Sequence, residues 1–128
     1  MVEPRTSTLV AVVEDDPSCR KALGRLLRAE GFEPALFESA EAYMNAPPVT
    51  PLCVIVDVHL PGISGIELQQ RLREAGHAPP IIVTTGTREG IIRDRAEQNG
   101  CAGFFWKPFD GSALLSRIAA IADDTRTS

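Results

Sequence analysis

The sequence predicts an α/β fold in which helices cover both faces of a five-stranded parallel sheet. Short apolar runs alternate five times with amphipathic segments, and parallel strands need such crossover connections. The links between these segments are short and rich in turn-forming residues. The run at 52–56 is apolar throughout, as expected for a central strand covered on both sides. These three observations favour a doubly wound sheet.

Length and composition indicate one domain. The chain has 128 residues, of which 44% are hydrophobic, enough for a single core. We expect one domain over residues 1–128, with a core at about 8–122 and short polar tails. The formal net charge of -4 argues against direct binding of nucleic acid or an anionic membrane, both of which favour basic surfaces.

The cysteines and the hydropathy pattern predict a cytoplasmic protein. Cys19, Cys53 and Cys101 are widely spaced among apolar residues, a pattern typical of reduced core thiols rather than of disulfides or a zinc site. Residues 1–8 lack an apolar signal core, and no apolar run approaches the roughly 18 residues of a membrane span.

The first strand is predicted at 8–13, and it ends in the acidic stretch at 14–16. Asp16 and Pro17 are typical of a helix start. Gly31 ends this helix, whose apolar face is formed by Cys19, Ala22, Leu23, Leu26 and Leu27.

A second strand is predicted at 32–37. Ser39 then begins a short helix through Asn45, with Glu41 near its positive end. The Pro-rich segment 47–51 is predicted to be a loop.

The third strand, at 52–56, leads directly to Asp57 and a Pro/Gly-rich turn. The next helix begins at Ser64, which has the capping-box spacing with Glu67. It ends at Gly76, and its buried face is predicted to contain Leu68, Leu72 and Ala75.

The fourth strand is predicted at 81–84, followed by a helix at about 88–99. Only Ile91, Ile92 and Ala96 are expected to anchor this helix, because its other residues are largely charged or polar. We therefore expect it to pack weakly and to be the helix most free to move.

The fifth strand is predicted at 102–106 and is closed by Lys107 and Pro108. Asp110 caps a last helix, and a polar tail follows at 124–128. The residues of this helix that face the core are Leu114, Leu115, Ile118, Ile121 and Ala122. At this length, the five units close most naturally into a flavodoxin-like sandwich.

The carboxyl ends of parallel strands share one rim, and here those ends carry Glu14, Asp15, Asp57, Thr85 and Lys107. Three clustered carboxylates repel one another unless a hard cation lies among them, and ligands that offer only oxygen favour Mg²⁺. Lys107 and Thr85 suit a phosphoryl dianion. An aspartate can accept such a group as an acyl phosphate.

These residues resemble those of the receiver domains of two-component response regulators. The resemblance runs from about residue 8 to 122 and implies the CheY-like version of the fold, with strand order 2-1-3-4-5. The segment 57–65 is similar to the family pattern D-x-x-M-P-x-x-x-G, with Leu60 in place of Met. It implies that Asp57 is the phosphoacceptor. The implied Mg²⁺ ligands are Glu14, Asp15, Asp57 and the backbone carbonyl of His59.

The resemblance extends to the last two strands. Of the hydroxyls of Thr84 and Thr85, the second matches the switch hydroxyl, and Phe104 matches the switch aromatic. Lys107-Pro108 matches a Lys-Pro pair whose peptide bond is characteristically cis. The stretches 39–42 and 107–109 are most similar to receivers of the FixJ type.

The resemblance implies a signalling phosphoacceptor rather than an enzyme acting on a separate substrate. It would take a phosphoryl group from a sensor histidine kinase or a phosphotransfer protein, using Mg²⁺, and would catalyse its own phosphotransfer and dephosphorylation. The fourth helix, fifth strand and fifth helix are the expected surface for a phosphorylation-dependent homodimer or an output partner. The chain is either a stand-alone receiver or part of a larger regulator.

Two other functions fit part of the pattern. A phosphohydrolase using Asp57 as its nucleophile would need a second carboxylate two residues later, where this chain has His59. An FMN-binding flavodoxin-like carrier would need a phosphate-binding loop after the first strand, where this chain has acids. Taken singly, each motif is also compatible with an ordinary capping or surface role, so the joint placement carries the prediction.

Overall fold

The computed structural model describes residues 8–47, 50–76 and 78–127, which form ten alternating elements. The strands are β1 (Leu9–Val13), β2 (Glu33–Phe37), β3 (Cys53–Asp57), β4 (Ile81–Thr85) and β5 (Gly103–Trp106). The helices are α1 (Pro17–Ala29), α2 (Ala40–Asn45), α3 (Gly65–Glu74), α4 (Gly90–Gln98) and α5 (Gly111–Thr127).

All strand pairs are parallel, and the strand order is β2-β1-β3-β4-β5. The predicted fold is therefore confirmed. The register pairs Val13 of β1 with Val56 of β3, and Asp57 of β3 with Thr84 of β4. The strands that flank Asp57 thus end at nearly the same level, which brings their following residues to one rim.

The core lies in two layers, one on each face of the sheet. Alternate residues of the central strands supply the two layers, because successive side chains of a strand point to opposite faces. One layer packs under α2, α3 and α4 and includes Val54, Val56, Val83, Leu68 and Ala96. The other packs under α1 and α5 and includes Val12, Ile55, Ile82, Leu27 and Ile118.

Four helix starts are stabilised by the predicted capping side chains. Asp16 accepts a hydrogen bond from Ser18 N–H, and Ser39 accepts one from Ala42 N–H, each at 3.0 Å. Ser64 accepts from Glu67 N–H at 3.1 Å, and Asp110 from Ser112 N–H at 2.9 Å. These bonds satisfy backbone donors of the first turn that have no partner within the helix.

Three expectations about helix faces are wrong. Ala22 is exposed and is not part of the buried face of α1, on which Gly24 is buried instead. Ile91 is 65% exposed and does not anchor α4, whereas Ala96 is fully buried. Ala75 is exposed at the end of α3, because the helix ends before its face returns to the core. The inward position on α3 is taken instead by Gln69, which is 1% exposed and donates from Nε2 to Ala96 O on α4 at 3.0 Å.

The polar C-terminal tail expected at 124–128 is also wrong where the structure describes it, since α5 continues to Thr127. Ser128 and residues 1–7 lie outside the described residues. In the loop predicted at 47–51, Pro48 and Val49 lie outside them as well. None of the described helices is both long and apolar enough to cross a membrane.

Candidate functional site

Asp57 ends β3 at the centre of the rim and is 6% exposed. The backbone turns tightly after it: Val58 N–H donates to Thr84 O at 2.9 Å, and Gly65 N–H donates to Val58 O at 3.0 Å. A Cβ atom at Gly65 would overlap the carbonyl oxygen of Asp57. A glycine is therefore required where α3 begins beside the carboxylate.

Two further acids meet Asp57. One carboxylate oxygen from each of Glu14, Asp15 and Asp57 lies within 4.8 Å of the others. Glu14 is 2% exposed, whereas Asp15 is open to solvent. The structure therefore brings together the three carboxylates that were predicted from separate strand ends.

Lys107 contacts two of these acids from the end of β5. Its Nζ lies 2.6 Å from Glu14 Oε1 and 3.5 Å from Asp57 Oδ1. The peptide bond between Lys107 and Pro108 is cis, as the resemblance implies. The ammonium is therefore closer to Glu14 than to the candidate phosphoacceptor.

The electrostatics of the cluster favour added positive charge. Burial raises the pKa of Asp57 to about 6, with repulsion from Glu14 contributing and the charge of Lys107 opposing. For Lys107, burial disfavours the charge, but the hydrogen bond that the ammonium donates to Glu14 and the attraction of Asp57 and Glu14 outweigh it and raise the pKa. One ammonium therefore does not compensate for the excess of negative charge.

The donor set fits a magnesium ion. Three carboxylates offer only oxygen atoms, which are the ligands that Mg²⁺ prefers. Glu14 already accepts from Lys107 through Oε1 and from Asp16 N–H through Oε2, the latter at 3.2 Å. Asp15 is the exposed member of the cluster, so it is the acid best able to turn toward an ion.

Arg20 supports the acidic pair and was not predicted to do so. Its Nη1 donates to Glu14 O at 2.8 Å and to Asp15 O at 3.3 Å. The sequence indicated only that Arg20 is not part of the apolar face of α1. The contact reaches back to the end of β1, where it holds the two carbonyl groups at the edge of the site.

The threonines at the end of β4 make separate local contacts. Thr84 Oγ1 donates to Val56 O at 3.5 Å, while Thr85 Oγ1 accepts from Thr87 N–H at 3.1 Å. Thr87 Oγ1 also forms a hydrogen bond of 2.7 Å with His59 Nε2. This last contact ties the turn after β3 to the loop after β4 across the rim.

An aromatic pair lies on β5 next to these threonines. Phe104 and Trp106 pack edge to face with ring centroids 5.3 Å apart. The guanidinium carbons of Arg88 and Arg93 lie 5.4 and 5.3 Å from the Trp106 ring centroid. Trp106 pairs with Thr85 in the sheet register and contacts Arg93 of α4, so it adjoins both.

Comparison with protein families gives one match over most of the chain. The family model described as "Response regulator receiver domain" matches residues 10–119. Nodulation protein W of Bradyrhizobium diazoefficiens is 37% identical over 125 residues, covering 97% of this chain and 55% of that protein. The transcriptional regulatory protein FixJ of Azorhizobium caulinodans is 36% identical over 112 residues, covering 87% and 53%. The chain therefore spans about half the length of the curated relatives it matches.

Solved structures show the same architecture. The crystal structure of FixJ-N is 30% identical, with a TM-score of 0.82, and covers 90% of this chain and 93% of that one. A CheY-like response regulator receiver domain protein from Methanospirillum hungatei has a TM-score of 0.86 at 20% identity, covering 94% and 98%. The second likeness concerns the fold alone.

Proposed function

The chain belongs to the response regulator receiver domain family of two-component signalling, and on this basis we propose that Asp57 accepts a phosphoryl group from a sensor histidine kinase or a phosphotransfer protein. The observation that carries the proposal is the contact of Lys107 with both Glu14 and Asp57 beside a third carboxylate. The proposed Mg²⁺ ligands are Glu14, Asp15, Asp57 and the backbone carbonyl of His59. Asp15 would bind directly, and Glu14 through water.

The bound Mg²⁺ would supply charge neutralisation for the carboxylates and for the incoming phosphoryl oxygens. The reaction at this chain is the attack of one Asp57 carboxylate oxygen on phosphorus. The P–N bond to the donor histidine breaks, and that nitrogen keeps the electron pair. A raised pKa of about 6 still leaves Asp57 largely ionised at neutral pH, so its oxygen is available for this attack.

Lys107 and Thr85 are proposed to hold the transferred group. The ammonium is 3.5 Å from Asp57 Oδ1, close enough to move from Glu14 to a phosphoryl oxygen when the charge of Asp57 is replaced by a dianion. Thr85 would donate its hydroxyl to another oxygen and give up its present contact with Thr87. We propose that the same groups support the chain's own dephosphorylation.

The switch is proposed to run through Thr85 and Phe104. Movement of Thr85 would free space beside β5, and Phe104 would turn inward. α4 is the element to be biased between two arrangements, because Ala96 is its only fully buried residue in the described structure. The surface of α4, β5 and α5 is the proposed site of a phosphorylation-dependent homodimer or an output partner.

The proposed role in two-component signalling extends to the location of the protein and to the output of the signal. We propose a cytoplasmic location, supported by the free thiols of Cys19, Cys53 and Cys101. The relatives include transcriptional regulators of about twice this chain's matched length. An output through another domain or another chain is therefore part of the proposal.

Incubation with acetyl phosphate and Mg²⁺, followed by intact mass measurement, tests the proposal. The wild-type chain should gain one phosphoryl group, and both EDTA and the substitution Asp57→Asn should prevent the gain. Catalytic release of phosphate from a generic phosphomonoester, without a labelled protein, would support the phosphohydrolase alternative instead.

A further inference from the structure

The turn between β3 and α3 is held from outside by a residue that belongs to neither element. Glu41 lies in the first turn of α2, and its Oε2 accepts a hydrogen bond from Ile63 N–H at 3.1 Å. Ile63 follows Asp57 by six residues in the chain. The contact therefore joins α2 to the turn that begins at the candidate phosphoacceptor.

The glycine before Ile63 is shaped by the same carboxylate. Gly62 has a φ of 76°, and a Cβ atom at this position would overlap Glu41 Oε2. Only glycine adopts this backbone conformation without strain, and here it also makes room for the acid. The Glu41 carboxylate therefore packs directly against the backbone of Gly62.

The other oxygen of the Glu41 carboxylate, Oε1, does not contribute to the contact with Ile63. Glu41 Oε1 is buried and makes no hydrogen bond within the described structure. Keeping such an oxygen away from water costs free energy. The Oε1 atom therefore carries a local cost in stability, whereas the Oε2 atom of the same carboxylate holds the turn at Ile63.

We propose that Glu41 is a positioning residue for the metal site: by holding the tip of the turn at Gly62 and Ile63, it fixes the direction of the His59 carbonyl. The inner end of the turn is fixed independently by the Gly65 N–H bond to Val58 O. Because both ends of the turn are held, the backbone between them, which includes His59, has less freedom to move. This inference rests on the proposed function, because it assumes that His59 O is an Mg²⁺ ligand.

Titration calorimetry with Mg²⁺ alone tests the inference, because it reads affinity without phosphorylation. Glu41→Ala should weaken Mg²⁺ binding about tenfold, as is common when a residue that orients a metal ligand is removed. Glu41→Gln should bind more tightly than Glu41→Ala, because its amide oxygen still accepts from Ile63 N–H. Glu38→Ala removes an exposed acid just before α2 and should leave the affinity unchanged.

A second pair of variants covers the case in which Glu41→Ala is poorly folded. Gly62→Ala should weaken Mg²⁺ binding because its methyl group displaces the Glu41 carboxylate. Gly76→Ala is the matched control: it has a similar φ of 85°, but no atom lies within 4 Å of its Cβ position. It should bind Mg²⁺ as the wild type does, although its backbone strain is comparable.

The two failures are distinguishable. Wild-type affinity in both Glu41→Ala and Gly62→Ala would overturn the positioning role while leaving the metal site intact. Equal losses in Gly62→Ala and Gly76→Ala would overturn it as well, since strain alone would then explain the effect. A wild-type chain that binds no Mg²⁺ would overturn the proposed function together with this inference.

Discussion

Lys107 Nζ and Glu14 Oε1 lie 2.6 Å apart although 93 residues separate the two residues in the chain. Glu14 is 2% exposed, and Lys107 retains 26% of its side-chain exposure. The ion pair therefore holds the ends of β1 and β5 together over Asp57. Lys107 is also the cation that contacts both Glu14 and Asp57 in the described structure.

We predict that Lys107→Met destabilises the metal-free protein by about 1–3 kcal/mol at neutral pH. Removing the ammonium leaves the Glu14 carboxylate buried without its partner, and the residual exposure of Lys107 moderates the loss. Urea unfolding in EDTA measures it, with the exposed Lys21→Met on α1 as the control. A double variant with Glu14→Gln should recover part of the loss; equal stability of Lys107→Met and wild type would contradict this account.

The pKa of Asp57 predicts a pH dependence of stability in the metal-free protein. Its folded pKa is about 6, above an unfolded value of roughly 4. The contribution of Asp57 is therefore fully present below pH 4 and is lost as the pH rises through 6. Asp57→Asn lacks this titration, so it should exceed the wild type in free energy of unfolding by a margin that grows over this window to about 1–3 kcal/mol. A margin that does not change with pH would contradict the prediction.

We predict that substitution of Gln69 makes α4 more dynamic without unfolding the protein. Its Nε2–Ala96 O hydrogen bond links α3 to α4, whereas its buried Oε1 has no hydrogen-bond partner in the described structure. Gln69→Leu should thus change overall stability little but increase amide hydrogen exchange in residues 90–98 by about tenfold, the worth of one hydrogen bond. The neighbouring, exposed Gln70→Leu is the control. Unchanged exchange in α4 would show that this bond does not restrain the helix.

The helix starts and the residues at the strand ends could be predicted from the sequence. The caps at Asp16, Ser39, Ser64 and Asp110 act within three residues of their own position, so their effect can be recognised locally. The rim could be predicted because the parallel topology brings strand ends together, and this placed Asp57 and Lys107 near each other without any knowledge of side-chain geometry.

Other features depend on contacts between helices and turns, which no local pattern encodes. Ile91 has the composition of an anchor, but the rotation of α4 turns it outward and leaves Ala96 as the buried residue. Gln69 looks like a surface residue until α4 packs over it. Glu41 contacts a backbone N–H 22 residues away, and its sequence position indicated only a favourable place in the first turn of a helix.

We predict that the fluorescence of Trp106 reports the proposed switch. It is the only tryptophan in the chain, it pairs with Thr85 in the sheet, and two arginines of the α4 region pack on its ring. Movement of Thr85 should alter this packing, so beryllofluoride with Mg²⁺ should shift the fluorescence of the wild-type protein. Asp57→Asn is the control and should not respond. An unchanged spectrum in the wild type would contradict the proposed route through β5.

The most direct test of the central claim is to locate the phosphoryl group. The wild-type chain is treated with acetyl phosphate and Mg²⁺, the acyl phosphate is trapped by borohydride reduction, and the modified peptide is identified by mass spectrometry. Our account predicts modification at Asp57 and at neither Glu14 nor Asp15. Modification of either of those acids, or an unmodified Asp57 peptide, would contradict it.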